Sequence, residues 1–269
     1  MKPLCAWLAL TAALLAAPVA AAPFEIAVNP SRFEVSGKSG ERIGQSLEIH
    51  NLGAQNIELA LRTLDWEFDE AGRLSFHDAL QPGSCRPWVV LERPRLAVPG
   101  RGKRSFRFQV QVPADAARGE CRFMIAVEGV EPAQQAMIQG SGGASLSLPV
   151  TGRIAVAVYL QLNGAEPKLE LTQVGVRQIN GQRQPFVTVR NTGDAHGRLG
   201  GTLDATDAQG AALSLDVEGA PVMAGQTRAL ALQPRGVNGE AVKSVPFPLK
   251  LKGLLDWDKG GFRVDTELK

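Results

Sequence analysis

Between Leu146 and Leu162 every even position except Gly152 is apolar: Leu146, Leu148, Val150, Ile154, Val156, Val158, Leu160 and Leu162. The odd positions are small, polar or otherwise different, from Ser147 and Pro149 through Ala155 and Ala157 to Tyr159 and Gln161. Side chains alternate between the two faces of a strand, so this parity predicts one extended strand with a single apolar face. At about 3.3 Å per residue it would run roughly 50 Å, against ~17–20 Å for an ordinary strand. The surplus points to a use outside the domain's own core.

The chain opens with Lys2, an apolar run from Leu4 to Ala17, and Pro18-Val19-Ala20-Ala21-Ala22-Pro23. A basic start, an apolar stretch of this length and small residues at its end predict a secretory leader over residues 1–21. No later stretch reaches the ~18 apolar residues of a membrane helix, so the expectation is an exported chain without membrane insertion. Cys5 falls inside the leader and leaves Cys85 and Cys121. An even count in an exported chain predicts one disulfide, the alternative being two separate buried thiols. Losing Lys2 with the leader lowers the formal charge from +2 to +1, which gives no electrostatic case for nucleic acid.

From residue 24 short alternating apolar segments follow one another, divided by Asn29-Pro30, Ser36-Gly37, Asn51-Leu52-Gly53, Pro82-Gly83 and Pro99-Gly100. They predict strands at 24–28, 32–35, 43–50, 57–68, 88–91, 106–112 and 121–127, before the long one. A floppy connection of Gly, Ser and Gln is expected at 131–143. Asn163-Gly164-Ala165-Glu166-Pro167 reads as a linker or hinge. A second series follows at 169–176, 186–191, 199–207, 211–217, 227–232, 245–251 and 262–268. The expected fold is all-β: two immunoglobulin-like β-sandwich domains, 22–162 and 168–269, joined by a short hinge at 163–167.

Catalytic and metal-binding patterns are missing from the sequence. His50, His77 and His196 lie in unrelated segments without metal-site spacing and are expected at surface or turn positions. Gly37-Lys38-Ser39 lacks the glycine that a phosphate loop needs, since Arg32 stands there. Asp65, Asp69 and Glu70 read as solvated charges at a strand end. The expectation is a protein that is not an enzyme and requires no cofactor or metal.

Several short motifs carry a family resemblance. Asn29-Pro30-Ser31-Arg32-Phe33 with Gln45–Asn51, Trp88–Leu91 with Pro94, Leu96 and Val98-Pro99-Gly100, Val189–His196, and Val222–Arg228 together resemble the PapD-like periplasmic chaperones of the chaperone–usher pathway, nearest the archaic, spore-coat-like branch. The resemblance implies a periplasmic assembly chaperone. It would bind incomplete pilin-like subunits by donor-strand complementation and deliver them to an outer-membrane usher. Leu146, Leu148 and Val150 would be the donor residues, with Met137 and Ile138 as extensions, while Ile154, Val156, Val158 and Leu160 would serve the chaperone's own core. Arg32 would anchor the subunit's terminal carboxylate. The lysine of the family pattern falls at Ala155, which makes Arg153 the second candidate anchor. The competing reading is an exported two-domain structural or adhesive protein of a surface appendage, with the long strand wholly internal.

Overall fold

The computed structural model describes residues 24–130, 134–139, 145–150, 152–242 and 244–269, with the side chains of 134–139 and 145–150 left aside. The leader expected at 1–21 and the side chains of Leu146, Leu148 and Val150 therefore lie outside the described residues.

The first half builds a sandwich from two sheets. One sheet runs in the order Ile26–Asn29, Arg42–Asn51, Lys103–Gln111 and Val89–Leu91. The other runs Arg32–Gly37, Arg153–Leu162, Gly119–Gly129, Ile57–Phe68 and Leu74–His77, with Arg95–Val98 also laddered to Ile57–Phe68. The first segment changes sheets after Asn29, and Arg32–Gly37 then pairs in parallel with Arg153–Leu162. Leu47, Ile49, Leu59, Phe106, Phe123, Ile125, Val156, Val158 and Leu160 close the core between the sheets. Cys85, itself in this core, forms a disulfide with Cys121, 36 residues away in sequence.

The second half folds seven strands into one continuous ladder: Leu169–Ile179, Gln182–Asn191, Thr227–Arg235, Ala212–Val217, Thr202–Thr206, Leu249–Trp257 and Gly260–Leu268. Thr227–Arg235 belongs to both of its layers. Residues 227–231 pair with Phe186–Arg190, and residues 232–235 pair with Ser214–Val217. That switch lets one ladder enclose a core of Val187, Val189, Leu203, Leu215, Leu230, Leu251 and Leu255.

The two sandwiches repeat one corner. Asn51 is buried, donates through Nδ2 to the Gln55 and Val98 carbonyls, and accepts from the Gly53 amide. Asn191 is fully buried, donates to the Ala195 and Val222 carbonyls, and accepts from the Gly193 and Lys168 amides. In each case an Asn-x-Gly turn is pinned by an amide whose bonds all stay inside the protein, as burial demands.

The long strand expected over 146–162 is two strands. Arg153–Leu162 is laddered on both sides, to Gly119–Gly129 and to Arg32–Gly37. Ser145–Val150 pairs with Gln134–Gln139, and among the described residues that two-stranded ribbon ladders with nothing else. Gly152 lies between Ser145–Val150 and Arg153–Leu162. A Cβ built there would lie 2.0 Å from Cγ of Phe24, so the N-terminal segment crosses where a side chain would otherwise stand. Within Arg153–Leu162 the expected parity holds: Val156, Val158 and Leu160 are buried in the core.

Candidate functional site

The opposite parity of Arg153–Leu162 faces the second sandwich. Ala155, Ala157 and Tyr159 join Leu64, Trp66, Met124 and Ala126 on the outer face of the six-stranded sheet, and Met223 of the second sandwich packs into this cluster. Two further contacts close this seam. Gln226 Nε2 donates to the Phe68 carbonyl at 2.8 Å, and the Arg228 guanidinium sits 4.2 Å over the Phe68 ring.

Strand register places the charged residues. Arg32 lies beside Ala157 and Glu34 beside Tyr159 on the parallel ladder, so both side chains emerge on the outer face. Arg32 Nε donates to Glu34 at 2.8 Å. From the second sandwich Arg198 Nε approaches the same Glu34 oxygen at 3.4 Å, while its other nitrogens reach the Gly219 carbonyl and the Tyr159 hydroxyl. The Arg198 guanidinium lies 5.6 Å from the Tyr159 ring centroid. Arg32 and Arg198 border an open cleft of about 570 Å³ that is also lined by Gly219, Asp256, Trp257 and Asp258. Burial pushes the Glu34 carboxyl up, but Arg32, His196 and Arg198 outweigh it and hold the group below its ordinary value. Burial also raises the Tyr159 phenol.

His196 stands behind this pair. It stacks on Tyr159 at 3.9 Å, and Glu120 Oε2 accepts from both its backbone amide and its ring Nδ1. Its Nε2 lies 3.7 Å from Glu34. A further tie joins Arg118 to Asp194, holding the Asp194 carboxyl below its usual range. Asp194 Oδ1 in turn accepts from the Glu166 amide at 2.7 Å, so the segment between the sandwiches is held rather than free.

The residues singled out from sequence are distributed unevenly around this site. Arg32 reaches the cleft. Arg153 does not join it: it is ion-paired to Glu128, its partner across the ladder, four positions up the strand from Ala157. Arg62 donates to the same Glu128 at 3.0 Å, which lowers that carboxyl. Arg198 is the second cation beside Arg32, and no local signal marks it, because its partners come from distant parts of the chain. His196 is buried rather than at the surface. Asp65 is buried as well, accepting from the Gln81 amide, Ser84 Oγ and Arg86. Trp88 falls in a short 3₁₀ turn, Arg86–Trp88, and not in a strand. No cluster of metal-ligating side chains occurs among the described residues.

No family model and no curated protein matches the chain. Among solved structures it is similar to the YadV chaperone, with 13% identity and a TM-score of 0.48 over 91% of this chain and 100% of that one. A similar chain occurs in the complex of Salmonella enterica SafA pilin with the SafB chaperone (14% identity, TM-score 0.47, 92% and 99% covered). Another is in the CsuC–CsuE chaperone–tip adhesion subunit complex from archaic Csu pili of Acinetobacter baumannii (14%, 0.44, 90% and 97%). At these values the likeness is one of outline.

Proposed function

We propose that the chain is a periplasmic assembly chaperone that lends the strand Ser145–Val150 to an incomplete pilin-like subunit and passes the subunit to an outer-membrane usher. One observation carries the reading. The segment continues the apolar parity of a core strand, yet among the described residues its backbone ladders only with Gln134–Gln139, as a two-stranded sheet of its own. A ribbon of that kind keeps a hydrogen-bonding edge open to another chain, and strand addition uses such an edge.

Leu146, Leu148 and Val150 would enter the subunit's unfinished core, each contributing roughly 1.5–3 kcal/mol on full burial. Pro149 donates no ladder bond, so its nitrogen side must face away from the added strand. Arg32 and Arg198 would hold the subunit's terminal carboxylate, taking it over from Glu34, which now occupies both guanidinium groups. Arg198 replaces Arg153 in that role, because Arg153 is committed to Glu128. No step requires a cofactor. The exchange of strands would be driven by the better fit of the incoming one.

Co-expression with an incomplete subunit tests the reading. The wild type should co-purify with it as a stable pair, and Leu148→Glu should abolish the pair while leaving the free protein folded. A Leu148→Glu variant that captures the subunit as well as the wild type removes the donor assignment.

A further inference from the structure

The domain boundary holds a buried titratable group that the strand-lending reading does not use. The side chains of His196 and Glu120 are each only 2% exposed. Glu120 Oε2 accepts from the His196 backbone amide at 2.9 Å as well as from ring Nδ1. An ionised carboxylate only accepts, so this contact keeps a proton on Nδ1. In the neutral ring, Nε2 is then a bare acceptor, and 3.7 Å away it faces another acceptor, the Glu34 carboxylate.

We propose that His196 is an acid-strengthened latch between the two sandwiches. With a second proton taken from solvent on Nε2, the imidazolium lies between two carboxylates of the first sandwich and holds the second in one orientation. Without it, Nε2 opposes Glu34 and the boundary loosens.

The surroundings favour that polarity. Facing the ring from the first sandwich are Glu120 on Gly119–Gly129, Glu34 on Arg32–Gly37, and the Tyr159 ring stacked against it from Arg153–Leu162. On its own segment stand Asp194, already paired with Arg118, and Arg198, whose charge is shared with Glu34. Arg122, two residues from Glu120, lies over the Trp66 ring instead. Glu120 Oε1 is buried and has no hydrogen-bond partner among the described residues. Glu34 also binds Arg32 and Arg198, so the same proton alters the electrostatics of the cleft. The latch needs no ligand in the cleft.

Nuclear magnetic resonance on the intact protein reads both halves of the proposal. Imidazole nitrogen shifts report the charge of His196, and residual dipolar couplings report the relative orientation of the sandwiches, from about pH 8.5 to about pH 5.5. The expected result is that the two sandwiches come to share one alignment as His196 gains its proton. Glu34→Gln, a change at a half-exposed side chain, should abolish most of that pH dependence while the fold is retained. An alignment that stays constant while the imidazole titrates, or an imidazole that holds one charge state across the range, overturns the latch.

Discussion

Arg32 and Arg198 close on the same carboxylate oxygen of Glu34, at 2.8 and 3.4 Å, although one arginine belongs to the first sandwich and the other to the second. On the proposed reading, this internal carboxylate stands where the carboxylate of a bound chain would. Binding at this cleft would then be an exchange of partners that uses both arginines.

That relationship separates the arginines by experiment. Arg32→Ala and Arg198→Ala should each weaken capture of an incomplete subunit by about tenfold to a hundredfold, the cost of losing one charged partner in a desolvated contact. Arg153→Ala should leave capture unchanged, because its partner Glu128 keeps Arg62. Titration calorimetry with the three variants checks the order.

The disulfide is expected to act on stability alone. Reducing Cys85–Cys121, which closes a loop of 36 residues, should cost the first sandwich about 3–4 kcal/mol in the chain-entropy view. Denaturant unfolding with and without reductant should lower the first transition and leave the second sandwich's midpoint in place.

Gly193 fixes the approach of the connecting segment. A Cβ there would stand 2.4 Å from the Glu166 carbonyl oxygen and 2.5 Å from the Lys168 amide nitrogen, both backbone atoms that cannot swing aside. Gly193→Ala should destabilise the protein by about 1–3 kcal/mol, as overpacking does. Gly219→Ala, where a Cβ meets nothing within 4 Å, is the matched control in a thermal melt.

Acid should part the sandwiches before it unfolds them. Asp194 is held below its ordinary range chiefly by Arg118, and Glu34 is held low by Arg32, His196 and Arg198 against the opposing effect of burial. A depressed carboxyl stabilises the folded contact above its unfolded pKa, and that contribution is lost as pH falls through the folded value. Scattering measurements should show the molecule lengthening below the ordinary carboxylate range, while the far-ultraviolet signal of the strands persists.

Much of this architecture is legible in the residues. The parity of Ile154 to Leu160 predicts a core strand because every second side chain must find the same sheet-to-sheet interior. The pairing of Cys85 with Cys121 follows from an even count. Asn163-Gly164 reads as the start of a linker or hinge, and both residues there have positive φ, 55° and 77°. What periodicity could not reveal is whatever depends on a distant neighbour. Phe24 lies where a side chain at residue 152 would stand, and nothing near residue 152 announces that approach. His196 looks like a turn residue in its own segment and is buried only because Glu120 and Tyr159 come over it. Arg198 is marked as the partner of Arg32 only by the fold.

Hydrogen exchange at the backbone amides of Leu146, Ser147, Leu148 and Val150 tests the central claim most directly, measured with the protein free and bound to an incomplete subunit. Those amides on the edge that receives the added strand should slow by about a hundredfold or more in the complex, equivalent to about 2.8 kcal/mol of local stability. Val156, Val158 and Leu160 should be protected in both states. A complex that forms while exchange throughout Ser145–Val150 stays at its free rate would contradict the account.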